Sequence, residues 1–315
     1  MPARTQVATG SYIAPTPTLL PHPPTHPPLQ CDIRDAGALR AVFAARAVDG
    51  VIHFAGYKAV GEARAKPALY YSNNFIGSLT LFEVMAGAGC KSLVFSSSCT
   101  VYGEAPSPLS EESPTGVGIT NAYSRSKYMI EEALRDIVAA DAGWRVCVLR
   151  YFNPVGAHPS GLIGEDPRGI PNCLMPYVLQ VLVGRLPQLT VYGTDYATRD
   201  GTCVRDYIHV VDVAAGHIDA LRWLSAQPPG LMDAFNFGTG TGVTVLELID
   251  AMERAAGQPV KRTLGPRRDG DLQESFCQPA KALRVLGWRA KLGLDEMCTH
   301  AWKWQSENPK GFAME

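Results

Sequence analysis

At 315 residues, 46% apolar and 19% charged, the chain has the make-up of a soluble globular protein, long enough for one large domain or two coupled ones. A formal net charge of −1 excludes a general pull toward nucleic acid or an anionic membrane, and no apolar run approaches the ~20 residues of a membrane span. The eight cysteines stand singly, without a CxxC pair or His/Cys ligand spacing, which argues against a metal site and for a reducing, cytoplasmic setting.

In chain order, the first segment is proline-rich: eight of the 24 prolines lie in residues 1–28. Proline fixes φ and lacks the ladder N–H, so residues 1–30 are expected to be extended or disordered. No clean apolar stretch follows the early arginine, so no signal peptide is expected. From Asp32 the texture changes. "DAGALRAVFAARAV" has helical spacing, "GVIHFAG" is a short apolar strand, and "PALYYSNNFIGSLTLFEVMAGAG" reads as one long helix stopped by Gly87 and Gly89. "SLVFSSSCTVYG" is a strand running into a polar turn, "AYSRSKYMIEEALRDIVAAD" an amphipathic helix and "WRVCVLRYFNPVG" another strand. Strands alternating with helices give an α/β chain with a parallel, doubly wound, Rossmann-like sheet over 31–153. Over 154–315 the rhythm loosens into a helix "LMPYVLQVLVGRL", short strands and terminal helices. This is expected to be a smaller mixed α/β domain, from which the chain can cross back to the first.

"AYSRSK" carries the sharpest local chemistry. Tyr123 and Lys127 stand at i and i+4, on one helix face. A phenol is a poor base near neutrality, and a neighbouring ammonium favours its ionised form, so the pair makes a general-base device. Alone, the spacing is a weak signal and more often marks a solvated helix face. Ser96, Ser97 and Ser98 end the preceding strand, and a serine strand end ahead of Tyr-x-x-x-Lys is the constellation of short-chain dehydrogenase/reductases.

The blocks "VIHFAGYKAVGEA", "FSSSCTVYG", "AYSRSK", "LRYFNPVGAHPSGLIGEDPRGIPN", "DGTCVRDYIHVVD" and "PRRDGDL" occur in that order. Together they resemble the UDP-glucose 4-epimerase family within the extended short-chain dehydrogenase/reductases, from Cys31 to Phe312. The resemblance implies an NAD-dependent isomerase of galactose metabolism that interconverts UDP-glucose and UDP-galactose by transient oxidation at sugar C4, and a cytoplasmic homodimer joined through helices near 68–86 and 122–138. It implies Tyr123 as the base toward the sugar 4-hydroxyl, Ser98 as a hydrogen-bond partner of that oxygen, and Lys127 as a holder of the nicotinamide ribose. Asp32 and Ile33 would lie against adenine, with Phe54, Ala55, Gly56, Lys58, Asn73 and Phe152 along the cofactor. For the UDP-sugar it implies Asn153, Asn172 and Cys173, then Thr190, Val191 and Tyr192 beside uracil. Arg205 and Arg268 would grip the diphosphate, Asp271 would take the uridine ribose, and Ser275 would stand beside the sugar.

Three departures from the family pattern matter. Cys173 stands where an asparagine is usual, so a diphosphate contact is expected to be lost or to pass to Asn172. Ser275 stands where a tyrosine narrows the pocket of some relatives; its small side chain leaves room for the N-acetylated pair, UDP-GlcNAc and UDP-GalNAc. And no GxxGxxG precedes Asp32, where a Rossmann site keeps its first strand, pyrophosphate turn and helix. The first βαβ unit is therefore expected to be absent or replaced, as in a truncated or mis-spliced gene model, leaving a gap in the sheet. Two other readings stay open: a nucleotide-sugar 4,6-dehydratase, disfavoured by Cys99 and Thr100 where carboxylates belong, and a non-catalytic sugar-nucleotide-binding relative or dimer partner. "FNFGTGTGVTVLELID" imitates a dinucleotide loop but has Val243 in place of the third glycine, and reads as a turn of the smaller domain. His53 reads as a satisfied core histidine, and Tyr177, Trp302 and Trp304 as packing residues.

Overall fold

The computed structural model describes the backbone of Gln6–Ala8, then residues 29–268 and 270–312. In chain order its elements are β1 (Gln6–Ala8), α1 (Ala36–Ala45), β2 (Val51–His53), α2 (Val60–Ala65), α3 (Pro67–Tyr70), α4 (Gly77–Gly87), β3 (Ser92–Ser98), α5 (Ala122–Ala140), β4 (Arg145–Tyr151), β5 (Asn153–Val155) and α6 (Leu174–Leu182). Then come β6 (Leu189–Tyr192), β7 (Val204–His209), α7 (Val210–Ser225), β8 (Leu231–Phe237), β9 (Gly242–Thr244), α8 (Val245–Ala256), β10 (Arg262–Gly265), β11 (Glu274–Ser275), α9 (Ala280–Leu286) and α10 (Leu294–Glu307). The chain divides into two compact units, one of residues up to 97 with 121–148 and 221–233, the other of 98–120, 149–220 and 234–315.

The first unit is built on the five-stranded sheet β1-β2-β3-β4-β8, in which β2 pairs in parallel with both β1 and β3. Its strands are continuous apolar runs because both faces are covered: Val51, Ile52, Leu93, Val94 and Phe95 are all buried. Leu81, Phe82 and Met85 of α4 and Ile130 and Leu134 of α5 supply covering side chains. Asp35 starts α1 by accepting the Ala38 N–H at 2.9 Å, an N-cap that satisfies a donor no helical carbonyl can reach.

Two expectations are corrected in this unit. No strand is foreseen ahead of Asp32, yet Gln6–Ala8 pair with Val51–His53, Gln6 against Val51 and Ala8 against His53. These three residues keep the backbone N–H groups that the prolines behind them lack. Residues 9–28, which hold most of the segment expected to be disordered, lie outside the described residues. The long helix over 67–87 is also not uniform: a π-helical stretch, Tyr71–Ile76, joins α3 to α4. It widens the turn where Asn74 is drawn inward, a common setting for π-bulges.

The second unit holds a small sheet in the order β11-β7-β5, parallel throughout, with β9 antiparallel against β7, and a separate parallel pair of β6 with β10. Its core gathers Met175, Val178 and Leu179 of α6, Leu248, Ile249 and Met252 of α8, and Met297, Cys298 and Ala301 of α10. Tyr177 and Trp302 pack against this cluster, and Trp304 is buried, as the sequence suggests. Helix α8 opens with a reciprocal capping box between Thr244 and Glu247 and stops at Gly257, whose φ of 66° suits a residue without Cβ.

Candidate functional site

Helix α5 begins where the Asn121 side chain accepts the Ser124 N–H at 2.9 Å, and this cap fixes Tyr123 and Lys127 on the first two turns. The amphipathic pattern turns Lys127 inward, where only 5% of it remains exposed. Its Nζ donates to the Ser96 carbonyl at 2.6 Å and lies 4.8 Å from the centre of the Phe95 ring. Burial drives its pKa down to about 8, and the negative charge of Glu131 opposes that fall. Glu131 is itself buried and accepts the Ser97 hydroxyl at 2.5 Å. Tyr123 is half-buried at the start of this stripe.

The carboxyl end of β2 forms the facing wall within the same unit. Ala55 is buried and Gly56 is exposed; a Cβ at Gly56 would stand 3.4 Å from Asn74 Oδ1 and 3.8 Å from Lys127 Nζ. Asn74 Oδ1 accepts the Tyr57 N–H at 2.8 Å and an Asn73 Nδ2–H at 3.0 Å, and its Nδ2 donates to the Tyr57 carbonyl at 2.9 Å. Ser78 donates its hydroxyl to the Asn74 carbonyl at 2.5 Å, and the His53 Nε2 contact with Ser78 is 2.8 Å. His53 is only partly the satisfied histidine foreseen, because its buried Nδ1 has no hydrogen-bond partner. Burial, with the Lys127 charge adding to it, pushes its pKa down to about 3, so the ring is neutral.

In the second unit Ser98 caps the short 3-10 turn Cys99–Tyr102, accepting from Thr100 N at 3.3 Å and Thr100 Oγ1 at 3.1 Å. Burial pushes the Cys99 thiol up to about 12 against the pull of Arg205 and of hydrogen bonds with Ser275 and Ser98, so these four residues share one neighbourhood. Arg205 donates to the Val204 and Leu272 carbonyls at 2.8 and 2.9 Å. Arg268 and Asp271 form an ion pair at 2.8 Å, and the Arg268 guanidinium lies 5.3 Å over the Tyr192 ring. On β6 Val191 is buried, Thr190 half-buried and Tyr192 exposed, and Asn153 is half-buried at the start of β5. Phe152 is buried, its N–H donating to the Phe237 carbonyl at 3.1 Å.

Other expected residues are more open. Asn172 and Cys173 are exposed at the start of α6, as are Phe54 and Lys58 after β2. Ile33 is buried, whereas Asp32 is exposed and bound at 2.6 Å to Arg34, which holds its carboxyl below the usual range. The decoy "FNFGTG" binds an anion after all, but one from the chain: Asp206 accepts Thr239 N, Thr239 Oγ1 and Gly240 N at 2.8, 2.7 and 2.9 Å, and Cys277 N at 3.2 Å. Among the described residues no cluster of side chains suits a metal ion, and no helix is long and apolar enough to cross a membrane. Sequence reasoning missed Asn74, Glu131 and Asp206. Only Glu131 left a signal, its i+4 spacing from Lys127 on the apolar stripe.

Residues 10–238 match the model of the NAD dependent epimerase/dehydratase family. UDP-glucose 4-epimerase 2 of Oryza sativa subsp. japonica is 55% identical over 282 residues, 89% of this chain and 69% of that protein. The UDP-glucose 4-epimerase of Bacillus subtilis (strain 168) is 54% identical over 284 residues, covering 90% and 83%. Among solved structures, the UDP-glucose 4-epimerase of Bifidobacterium longum in complex with NAD+ and UDP superposes with a TM-score of 0.86 at 50% identity, covering 90% of this chain and 84% of that one. The UDP-Glc/GlcNAc 4-epimerase of Campylobacter jejuni superposes with a TM-score of 0.75 at 34% identity, covering 89% and 84%.

Proposed function

From the premise that this chain belongs to the NAD dependent epimerase/dehydratase family, we propose that it interconverts UDP-glucose and UDP-galactose by NAD-dependent epimerisation at C4 of the sugar. The observation that carries the reading is the buried Lys127 ammonium one helical turn from Tyr123, held by the Ser96 carbonyl at 2.6 Å. A desolvated ammonium in that position has little structural use and a clear chemical one: it favours the phenolate of a neighbouring tyrosine.

The residues around Lys127 fit the nicotinamide-ribose end of the dinucleotide. Lys127 commits one proton to Ser96 and has others to offer a ribose hydroxyl. Gly56 leaves bare backbone beside the ammonium, where a Cβ would come into van der Waals contact with Nζ at 3.8 Å. Asn73 and Phe54 flank the same wall, while the segment that would hold a pyrophosphate turn falls in residues 9–28, outside those described. Bound NAD supplies the acceptor, and then the donor, of the C4 hydride.

The chain's own residues move the proton. Tyr123 Oη takes it from the sugar 4-hydroxyl and gives it back, and Ser98 is assigned a hydrogen bond to the same oxygen. Arg205 and Arg268 are assigned the diphosphate, a task for guanidinium forks, and the exposed Tyr192 ring a stacking face for uracil. Asn153, Thr190 and Asp271 are assigned the remaining polar groups of the nucleotide sugar. Ser275, buried and small on β11, supports a pocket that also admits the N-acetylated sugars.

The test is turnover of UDP-galactose by the purified chain, read by coupling the UDP-glucose formed to its dehydrogenase, with the dinucleotide released by denaturation counted per chain. Turnover with near-stoichiometric NAD is the expected result. UDP-sugar binding without turnover or NAD would overturn it in favour of a non-catalytic relative.

A further inference from the structure

Lys127 and Glu131 are four residues apart on α5, so both project from the same face, and both are buried. Taking either charge out of water alone is costly, and a buried charge without compensation gives up its ionisation. Consecutive residues at the end of β3 hold the two groups. The Ser96 carbonyl accepts the ammonium at 2.6 Å, and the Ser97 hydroxyl donates to the Glu131 carboxylate at 2.5 Å.

We propose that Glu131 is a positioning residue for the reaction: its carboxylate, aimed by Ser97, keeps the Lys127 ammonium charged and fixed at the end of β3. The proposal rests on the role given to Lys127 above. Among the described residues, the other titratable groups beside this ammonium are Tyr123, four positions earlier on α5, and His53 on β2. His53 is neutral, its pKa pushed down to about 3, so it does not compete for the role. The Phe95 ring, 4.8 Å from Nζ, favours the cation from the strand side but carries no net charge. Glu131 is the group that pulls Lys127 back toward its charged form against burial. A side chain that pinned α5 to β3 through its Ser97 hydrogen bond alone, carrying no charge, would leave the titration of Lys127 untouched.

The experiment follows the Nζ resonance of Lys127 through a pH titration of the full chain labelled with 15N-lysine, the signal being assigned by its loss in Lys127→Met. The native midpoint is expected near 8. Glu131→Gln, which keeps the shape and removes the charge, should lower that midpoint by at least about one pH unit, and Glu131→Asp should restore most of it. An unchanged midpoint in Glu131→Gln overturns the proposal. Should that variant not fold, Ser97→Ala takes its place; it frees the carboxylate from its tether and should move the midpoint in the same direction, no movement again being fatal. Since the titration is read without substrate, an absence of epimerase turnover would fail the functional reading and leave this result standing. In an active enzyme the alkaline limb of kcat/KM should fall in step with the resonance, and a limb that stays in place while the resonance moves overturns the link to the reaction.

Discussion

The side-chain amide of Asn74 donates to the Ser126 hydroxyl at 3.2 Å, fastening the π-helical stretch to α5 one residue ahead of Lys127. Ser126 in turn donates to the Tyr123 carbonyl at 2.7 Å, so the clamp reaches the proposed base through its backbone. Asn74→Ala would strip partners from Tyr57 N and O at once, and unfolding in urea should show a loss of about 1–2 kcal/mol, the worth of part-buried hydrogen bonds that water only partly replaces. Bound dinucleotide should fall with it. Unchanged stability would mean that the clamp does not hold the turn.

Tyr123→Phe removes the proton carrier and little else. Turnover of UDP-galactose should fall about 10²- to 10⁴-fold, the usual worth of a general base, while UDP affinity measured by calorimetry stays the same. A variant with more than a tenth of native turnover would move the base elsewhere.

The neutral His53 makes the fold sensitive to acid. Its folded pKa, about 3, lies below the unfolded value, so the unfolded chain takes up the proton first as pH falls below about 6.5. Its contribution is therefore complete above that value and is lost as pH falls toward 3, at about 1.4 kcal/mol per pH unit. His209 and His217, both pushed down to about 4 by burial, act in the same direction. Stability measured between pH 4 and 6 should fall with acid less steeply by about one proton in His53→Leu, the two proteins running parallel above about pH 7, and an unaltered slope would show that His53 is protonated in the folded state.

Ser275→Tyr fills the space beside the proposed sugar site. It should cut kcat/KM for UDP-GlcNAc at least about tenfold more than for UDP-glucose, since a steric change in a pocket discriminates by a few kcal/mol at most. Equal losses on both substrates would place the N-acetyl group elsewhere.

Gly238→Ala tests the turn around Asp206. The new Cβ would fall 2.5 Å from both Asp206 Oδ2 and Cys277 Sγ, neither of which can retreat from its buried position without breaking hydrogen bonds. A loss of about 1–3 kcal/mol is expected in thermal or urea unfolding, and full stability would mean that the loop relaxes freely.

Much of the fold is legible because its signals are local. The run of apolar residues at Leu93–Phe95 announces a strand covered on both faces, and the spacing along α5 announces an amphipathic helix. Tyr123 and Lys127 are legible for the same reason, since their partnership needs one helical turn. Asn74 and Asp206 are not, because their partners lie far along the chain: Ser126 for one, Thr239 and Cys277 for the other. Strand β1 escapes notice because three residues before a proline tract carry too little pattern to be read alone. The hand that pairs it is β2, some 40 residues on by the register of Gln6 with Val51.

The turn after β8 has the form of an anion cradle, and the chain has supplied the anion. With Asp206 covalently delivered from β7, the backbone donors of Thr239, Gly240 and Cys277 are already occupied by a group that cannot diffuse away. Phosphate, sulfate or nucleotide in the surrounding solution has nothing to displace there and meets a negative charge already in place. The shape of this loop should therefore be indifferent to the ionic composition of the buffer, unlike a true phosphate loop, which tightens when its ligand arrives.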